Sequence, residues 1–213
     1  WIKVYKNAKQ PNRVIWMNKS ISSAIIVVVS AFSLQSQADE NASSSRFYIS
    51  GSYGQATSKT KPNYGGDYVN EKNPTKASVF GMGVGYKLNK NFRTELKYMH
   101  FGDSKYSADL SDGSGDFVTH KVNSKAFFAN LYYDFNNFGE KLNPYVTSGI
   151  GYAKNKASAA GVYSSDGTAT PSVYEGSSKG SLAWNVGAGL AYKISENVTW
   201  DAVQYSYFNL GKY

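Results

Sequence analysis

The sequence predicts an all-β fold, an antiparallel up-and-down transmembrane β-barrel of the eight-stranded type with seven strands visible. Three observations carry that expectation. Segments of about ten residues or a little more alternate between apolar positions and polar or glycine positions, the length a tilted strand needs to cross hydrocarbon. The connections between them alternate between long and short. The composition, with 18 Tyr, 11 Phe and 20 Gly against 5 Pro, favours sheet over helix. There is no Cys, which excludes a disulfide framework and a thiolate metal site.

The N-terminal region reads differently. From Met17 the chain runs "MNKSISSAIIVVVSAFSLQSQADEN": a basic Lys19, an apolar run over Ile25, Ile26, Val27, Val28 and Val29, then Ser36-Gln37-Ala38. That is the layout of a secretory signal peptide spanning 17–38 and cut near Ala38. The run is too short to be a membrane helix, which needs about 20 apolar residues. Residues 1–16 form an unexplained or spurious extension and 39–45 a flexible leader, so the barrel domain is expected over 46–213. Charge follows the same division. Five of the 23 basic residues (Lys3, Lys6, Lys9, Arg13, Lys19) and none of the 15 acidic ones precede Asp39, leaving 18 against 15, or +3. The formal +8 of the whole chain is therefore no argument for a nucleic-acid partner.

The strands are expected at 46–56, 77–88, 91–101, 121–135, 143–154, 180–192 and 197–210. Long connections fall at 57–76, 102–120 and 155–179, and short ones at 89–90, 136–142 and 193–196. Tight turns at one end and large loops at the other are the asymmetry of outer-membrane barrels. In "VFGMGVGYKL", Phe80, Met82, Val84 and Tyr86 share one face and Gly81, Gly83 and Gly85 the other. In "NFRTELKYMH", Phe92, Leu96 and Tyr98 oppose Arg93, Glu95 and Lys97. A charge on lipid at midplane costs about 2–4 kcal/mol, so the apolar set faces outward and the charges inward.

Tyr86, Phe92, Leu96, Tyr98, Tyr133, Tyr152, Trp184 and Tyr192 are thus expected on the lipid face or in its aromatic girdles. Arg93, Glu95 and Lys97, with Asp134 and Asp201 as further partners, form the expected lumen charge cluster. In 197–210 the alternation breaks, because Asp201 inside would leave Gln204 and Ser206 on lipid; a one-residue bulge near Ala202 restores it. Bacterial barrels have an even number of strands, so the chain is expected to stop before an eighth, leaving the first and last visible strands with unpaired edges.

"FYISGSYGQA", "GMGVGYKLNKNFRTELKY", "FFANLYYDF", "NPYVTSGIGYA", "LAWNVGAGLAYKISENVTWDA" and "YFNLG" resemble the small eight-stranded outer-membrane barrels. That group includes the OmpA-like and Opa-like barrels and the surface-antigen barrels of alphaproteobacteria, among them rickettsial adhesins. The likeness covers about residues 46–213 and departs from the family at Val203-Gln204 and in the missing last strand. It implies a bacterial outer-membrane surface protein, with adhesion as one use of such barrels, and it transfers no catalytic residue.

Other chemistry is weak in this sequence. His100 and His120 flank the second long loop with only Asp103 or Asp116 near them, too few ligands for a metal site. No spacing supports a Ser-His-acid relay, and "GMGVG" lies inside a strand with no helix after it. No catalytic, cofactor-binding or metal-binding residue is assigned and no cofactor is expected, so the protein is read as not an enzyme. The expected partners are outer-membrane lipid and a host-cell or envelope protein, contacted through loop residues Lys59, Lys61, Tyr64, Tyr68, Lys105, Tyr106, Tyr163 and Tyr174. The alternatives are a structural envelope protein, a narrow pore with a charged lumen, or a soluble lipocalin-like barrel with its apolar face inside.

Overall fold

The computed structural model describes residues 24–35, 46–58, 68–69, 76–110, 117–136, 139, 141–158, 160–163, 169–174 and 177–211. Eleven strands run in chain order: β1 (Ala24–Gln35), β2 (Phe47–Ser58), β3 (Tyr68–Val69), β4 (Ala77–Lys87), β5 (Phe92–Leu110), β6 (Phe117–Asp134), β7 (Leu142–Ala157), β8 (Ala160–Tyr163), β9 (Ala169–Tyr174), β10 (Ser177–Lys193) and β11 (Val198–Asn209). Eight of them close a ring in the order β5-β4-β2-β1-β11-β10-β7-β6, with β6 pairing back to β5. Lipid offers no partner for an open N–H or C=O, so closure satisfies every barrel edge.

Seven ring strands coincide with the segments read from alternation. The eighth does not. Residues 24–35 run antiparallel between β11 and β2, from Ala24↔Phe208 to Leu34↔Val198 on one side and from Ala24↔Ser58 to Gln35↔Tyr48 on the other. The unpaired edges expected on the first and last strands are absent. The physical reason is that a β-branched apolar run suits a strand as well as an export signal. Its lower part alternates correctly, with Ala31 buried and Phe32 and Leu34 exposed on the outer face. The two roles exclude each other in one molecule: residues 24–35 close the ring only in a chain that keeps them.

The bulge expected near Ala202 is present. Between β10 and β11 the register runs to Leu190↔Val203 and resumes at Ala191↔Asp201, leaving Ala202 as the extra residue. Beyond it Gln204, Ser206 and Phe208 are buried in the lumen while Val203 and Tyr205 face out. Side-chain period in a strand is two, so this single insertion keeps six residues on their proper faces.

Five strands are longer than expected at the loop end. β2 continues to Ser58, β5 to Leu110 and β7 to Ala157, while β6 begins at Phe117 and β10 at Ser177. The expectation of long irregular loops at 102–120 and 155–179 is corrected accordingly. β8 pairs with β6, β9 with β8, and β3 with β5, so much of these stretches is ladder. Aromatic and β-branched residues in "FVTHKV", "AGVY" and "ATPSVY" support it.

Candidate functional site

The lumen is built from the alternate residues of eight strands and falls into three layers. At the turn end Arg93 donates from Nε to both carboxylate oxygens of Asp134, at 3.2 and 3.0 Å. Its guanidinium carbon lies 4.0 Å from the Tyr132 ring centroid, 5.1 Å from Tyr145 and 5.8 Å from Tyr48. A planar cation that is both ion-paired and enclosed by ring faces keeps favourable partners when water is removed. Gly85 makes room for this arrangement, since a Cβ there would collide with the Tyr48 ring.

In the middle layer Lys97 Nζ lies 3.4 Å from Glu95 Oε1, and the Tyr132 hydroxyl donates to the same oxygen at 3.2 Å. Asn185 Nδ2 donates to Asn130 Oδ1 at 2.8 Å, and Gln204 Nε2 to the Ser206 hydroxyl at 2.8 Å. At the loop end most of the filling is apolar, Met99, Phe101, Phe128, Phe208 and Leu210 with Ala126, Ala153 and Ala183, and beside it the buried Ser124 hydroxyl donates to Asn155 Oδ1 at 2.7 Å. Phe208 meets Phe101 and Phe128 edge-on at 5.5 and 5.4 Å. The cavity between the middle and apolar layers measures about 10 Å³, room for about one water. A wider vestibule of about 850 Å³ opens at the turn end.

The candidate lumen cluster is thus brought together. Arg93, Glu95, Lys97 and Asp134 form two ion pairs, and Asp201 lines the same vestibule as Arg93 and Asp134 without being the guanidinium's ion-pair partner. Register across the barrel made that choice, and a single sequence does not contain it. Tyr48, Tyr132 and Tyr145 were absent from the candidate list. Their positions between Phe47 and Ile49, between Leu131 and Tyr133, and before Val146 give the inward parity that would have found them.

On the outside, Leu96, Tyr152 and Trp184 are exposed, at 70%, 59% and 42%, on a surface that would be anomalous in water. Phe92 is exposed beside them, while Tyr86, Tyr98, Tyr133 and Tyr192 are half-buried on the same face. Aromatic pairs mark the turn end, Phe47 with Tyr86 at 4.8 Å and Phe92 with Tyr133 at 5.0 Å. Trp184 sits in mid-band, opposite Ile150, and not in a girdle.

Of the candidate loop contacts, Lys59, Lys61 and Tyr64 lie outside the described residues. Tyr68, Tyr106, Tyr163 and Tyr174 lie on β3, β5, β8 and β9, with only their backbone described. Lys105 is exposed on β5. Among the described residues no group of His, Asp and Glu is placed to hold a metal ion.

Comparison with known proteins agrees with this architecture. A family model described as the outer membrane protein beta-barrel domain matches residues 24–213. The outer membrane protein PagN of Salmonella typhimurium is 32% identical over 145 residues, which are 63% of this chain and 59% of PagN. The chain therefore spans less than two thirds of that relative. A crystal structure of Ail, the attachment invasion locus protein of Yersinia pestis, in complex with the heparin analogue sucrose octasulfate, aligns at 15% identity and a TM-score of 0.30. That alignment covers 90% of this chain and 97% of Ail.

Proposed function

The chain belongs to the outer membrane protein β-barrel domain family, and from that premise we propose that it is a surface adhesin or antigen whose barrel holds a protruding sheet against a host or partner surface. One observation carries the reading. On β6 the apolar outer face ends at Phe127 and gives way to exposed Lys125, yet the strand begins at Phe117. Eight further residues at about 3.3 Å each carry the ladder roughly 26 Å along the strand past the lipid zone. β5, β7, β8 and β9 pair alongside it there. A ladder built in water, beyond any need of the membrane, presents a pre-ordered surface, and pre-order lowers the entropic cost of binding.

A conducting pore is disfavoured by the same geometry, because two ion-paired layers and an aromatic layer fill the described lumen. The test is adhesion of a non-adherent bacterium displaying the full chain, compared with variants in which 59–75, 104–121 and 158–176 are replaced by short Gly-Ser turns. Binding should fall to background while the barrel keeps its heat-sensitive electrophoretic mobility. Undiminished adhesion with all three segments replaced would refute the assignment.

A further inference from the structure

The outer face of β5, β6, β7 and β10 carries a second pattern that the loops do not explain. The registers place His100 opposite Lys125, Lys125 opposite Lys154, and Lys154 opposite Gly180, one row across four strands. Both lysines are exposed on the outward side, and so are Lys156 on β7 and Lys121 on β6, one and two periods nearer the loop end. Lys121 is itself opposite Lys105 of β5. Directly opposed like charges destabilise a sheet, so Lys125 and Lys154 impose on β6 and β7 a cost that an anion would remove. One carboxylate at this end of these strands, Asp103, accepts a hydrogen bond from Asn123 Nδ2 at 2.9 Å.

The row beneath is apolar and aromatic: Tyr98, Phe127, Tyr152 and Leu182 stand in register. Beneath that come Leu96, Ala129, Ile150 and Trp184, then Thr94, Leu131, Ser148 and Val186. Within these two rows the outer wall is hollowed into a groove of about 640 Å³, flanked by Leu96, Leu131, Ile150, Trp184 and Val186. Ala129 lies four residues from Lys125 on β6, so groove and lysines are about 13 Å apart along the strand. A cationic row at the headgroup boundary above an apolar groove matches a molecule with an anionic head and a hydrocarbon tail.

We propose that this face binds a phosphorylated lipid of the outer leaflet. Its phosphate lies between Lys125 and Lys154, and one acyl chain follows the groove beside Trp184. The site is separate from the lumen and from the loop surface, and it stands whether or not the protein is an adhesin. It places a headgroup against the base of the protruding sheet, where β5, β6 and β7 leave the membrane.

Trp184 supplies the readout. In a full-length W1F/W16F/W200F variant it is the remaining tryptophan. The protein is reconstituted in phosphatidylcholine vesicles doped with chain-brominated phosphatidate, or with chain-brominated phosphatidylcholine at the same mole fraction. Quenching by the phosphatidate should be half-complete at a several-fold lower mole fraction than quenching by the phosphatidylcholine. Lys125→Gln with Lys154→Gln should abolish that preference, and Lys125→Arg with Lys154→Arg should retain it. Equal quenching by the two lipids, or a preference that survives the double Gln variant, would overturn the site. Loss of the preference on adding inorganic phosphate alone would show that the lysines read a free anion, and would overturn the lipid assignment.

Discussion

The two walls of the barrel differ in kind. β5, β6, β7 and β10 form a tall wall; β7 and β10 pair without interruption from Ser177↔Ala157 to Tyr192↔Leu142, and β6 and β7 from Val122↔Ala157 to Asp134↔Tyr145. β11, β1, β2 and β4 form a short wall, with a ladder shift inside it at Val28/Ser30 and another where β11 meets β10 at Leu190/Ala191; the tall wall has its own shift, between β5 and β6 at Phe101/Ser104. The tall wall supplies Arg93, Asp134, Glu95 and Lys97 and carries the extension beyond the membrane. The short wall carries the closing strand and the bulge. Strand length and the ionic lock make one half a scaffold. Closure, the step that lipid demands, falls on the half without that lock.

The comparison can be broken most severely at Ala202. Deleting it should flip Gln204, Ser206 and Phe208 toward lipid and bring Val203 and Tyr205 inside, because a one-residue slip exchanges the faces of a strand. Loss of the folded, heat-modifiable band on electrophoresis is the expected result. The closing strand is tested next. Ser33 opposes Ser50 across β1 and β2, so Ser33→Cys with Ser50→Cys should yield a disulfide in the refolded chain that keeps residues 24–35. In an exported chain cut after Ala38 the link should vanish together with the mass of the leader, both read by mass spectrometry.

A smaller effect is expected on the tall wall. Arg93→Ala leaves the Asp134 carboxylate and the Tyr132 ring face without their cation, and losing a part-buried, charge-assisted hydrogen bond of this kind costs about 1.5–3 kcal/mol. The urea midpoint of unfolding in detergent should fall accordingly, with the ring of strands intact below it. Smallest of all is Lys154→Glu. It converts the like-charged pair with Lys125 into an attractive one, a gain of about 0.2–1 kcal/mol that added salt should erase.

The parity of each strand was legible because the side-chain period is two and lipid penalises every error of face. Even the bulge could be read, from the conflict between Asp201 and Gln204 alone. Which carboxylate Arg93 would choose was not legible. Asp134 and Asp201 are equivalent until the neighbour of each strand is known, and that neighbour is β6. The lysine row was hidden for the same reason: Lys125 and Lys154 are 29 positions apart and become a pair only through the β6–β7 register.

The sequence by itself determined the class, the positions of seven ring strands, the outward and inward sets, and that the charges of β5 lie in the lumen, because each depends on local alternation against a fixed solvent. Tertiary structure alone decided how the ring closes, which acid meets Arg93, how far the sheet rises past the membrane, and where cations of different strands stand side by side. Those are matters of pairing between distant segments, and the free energy that selects a partner strand belongs to neither segment alone.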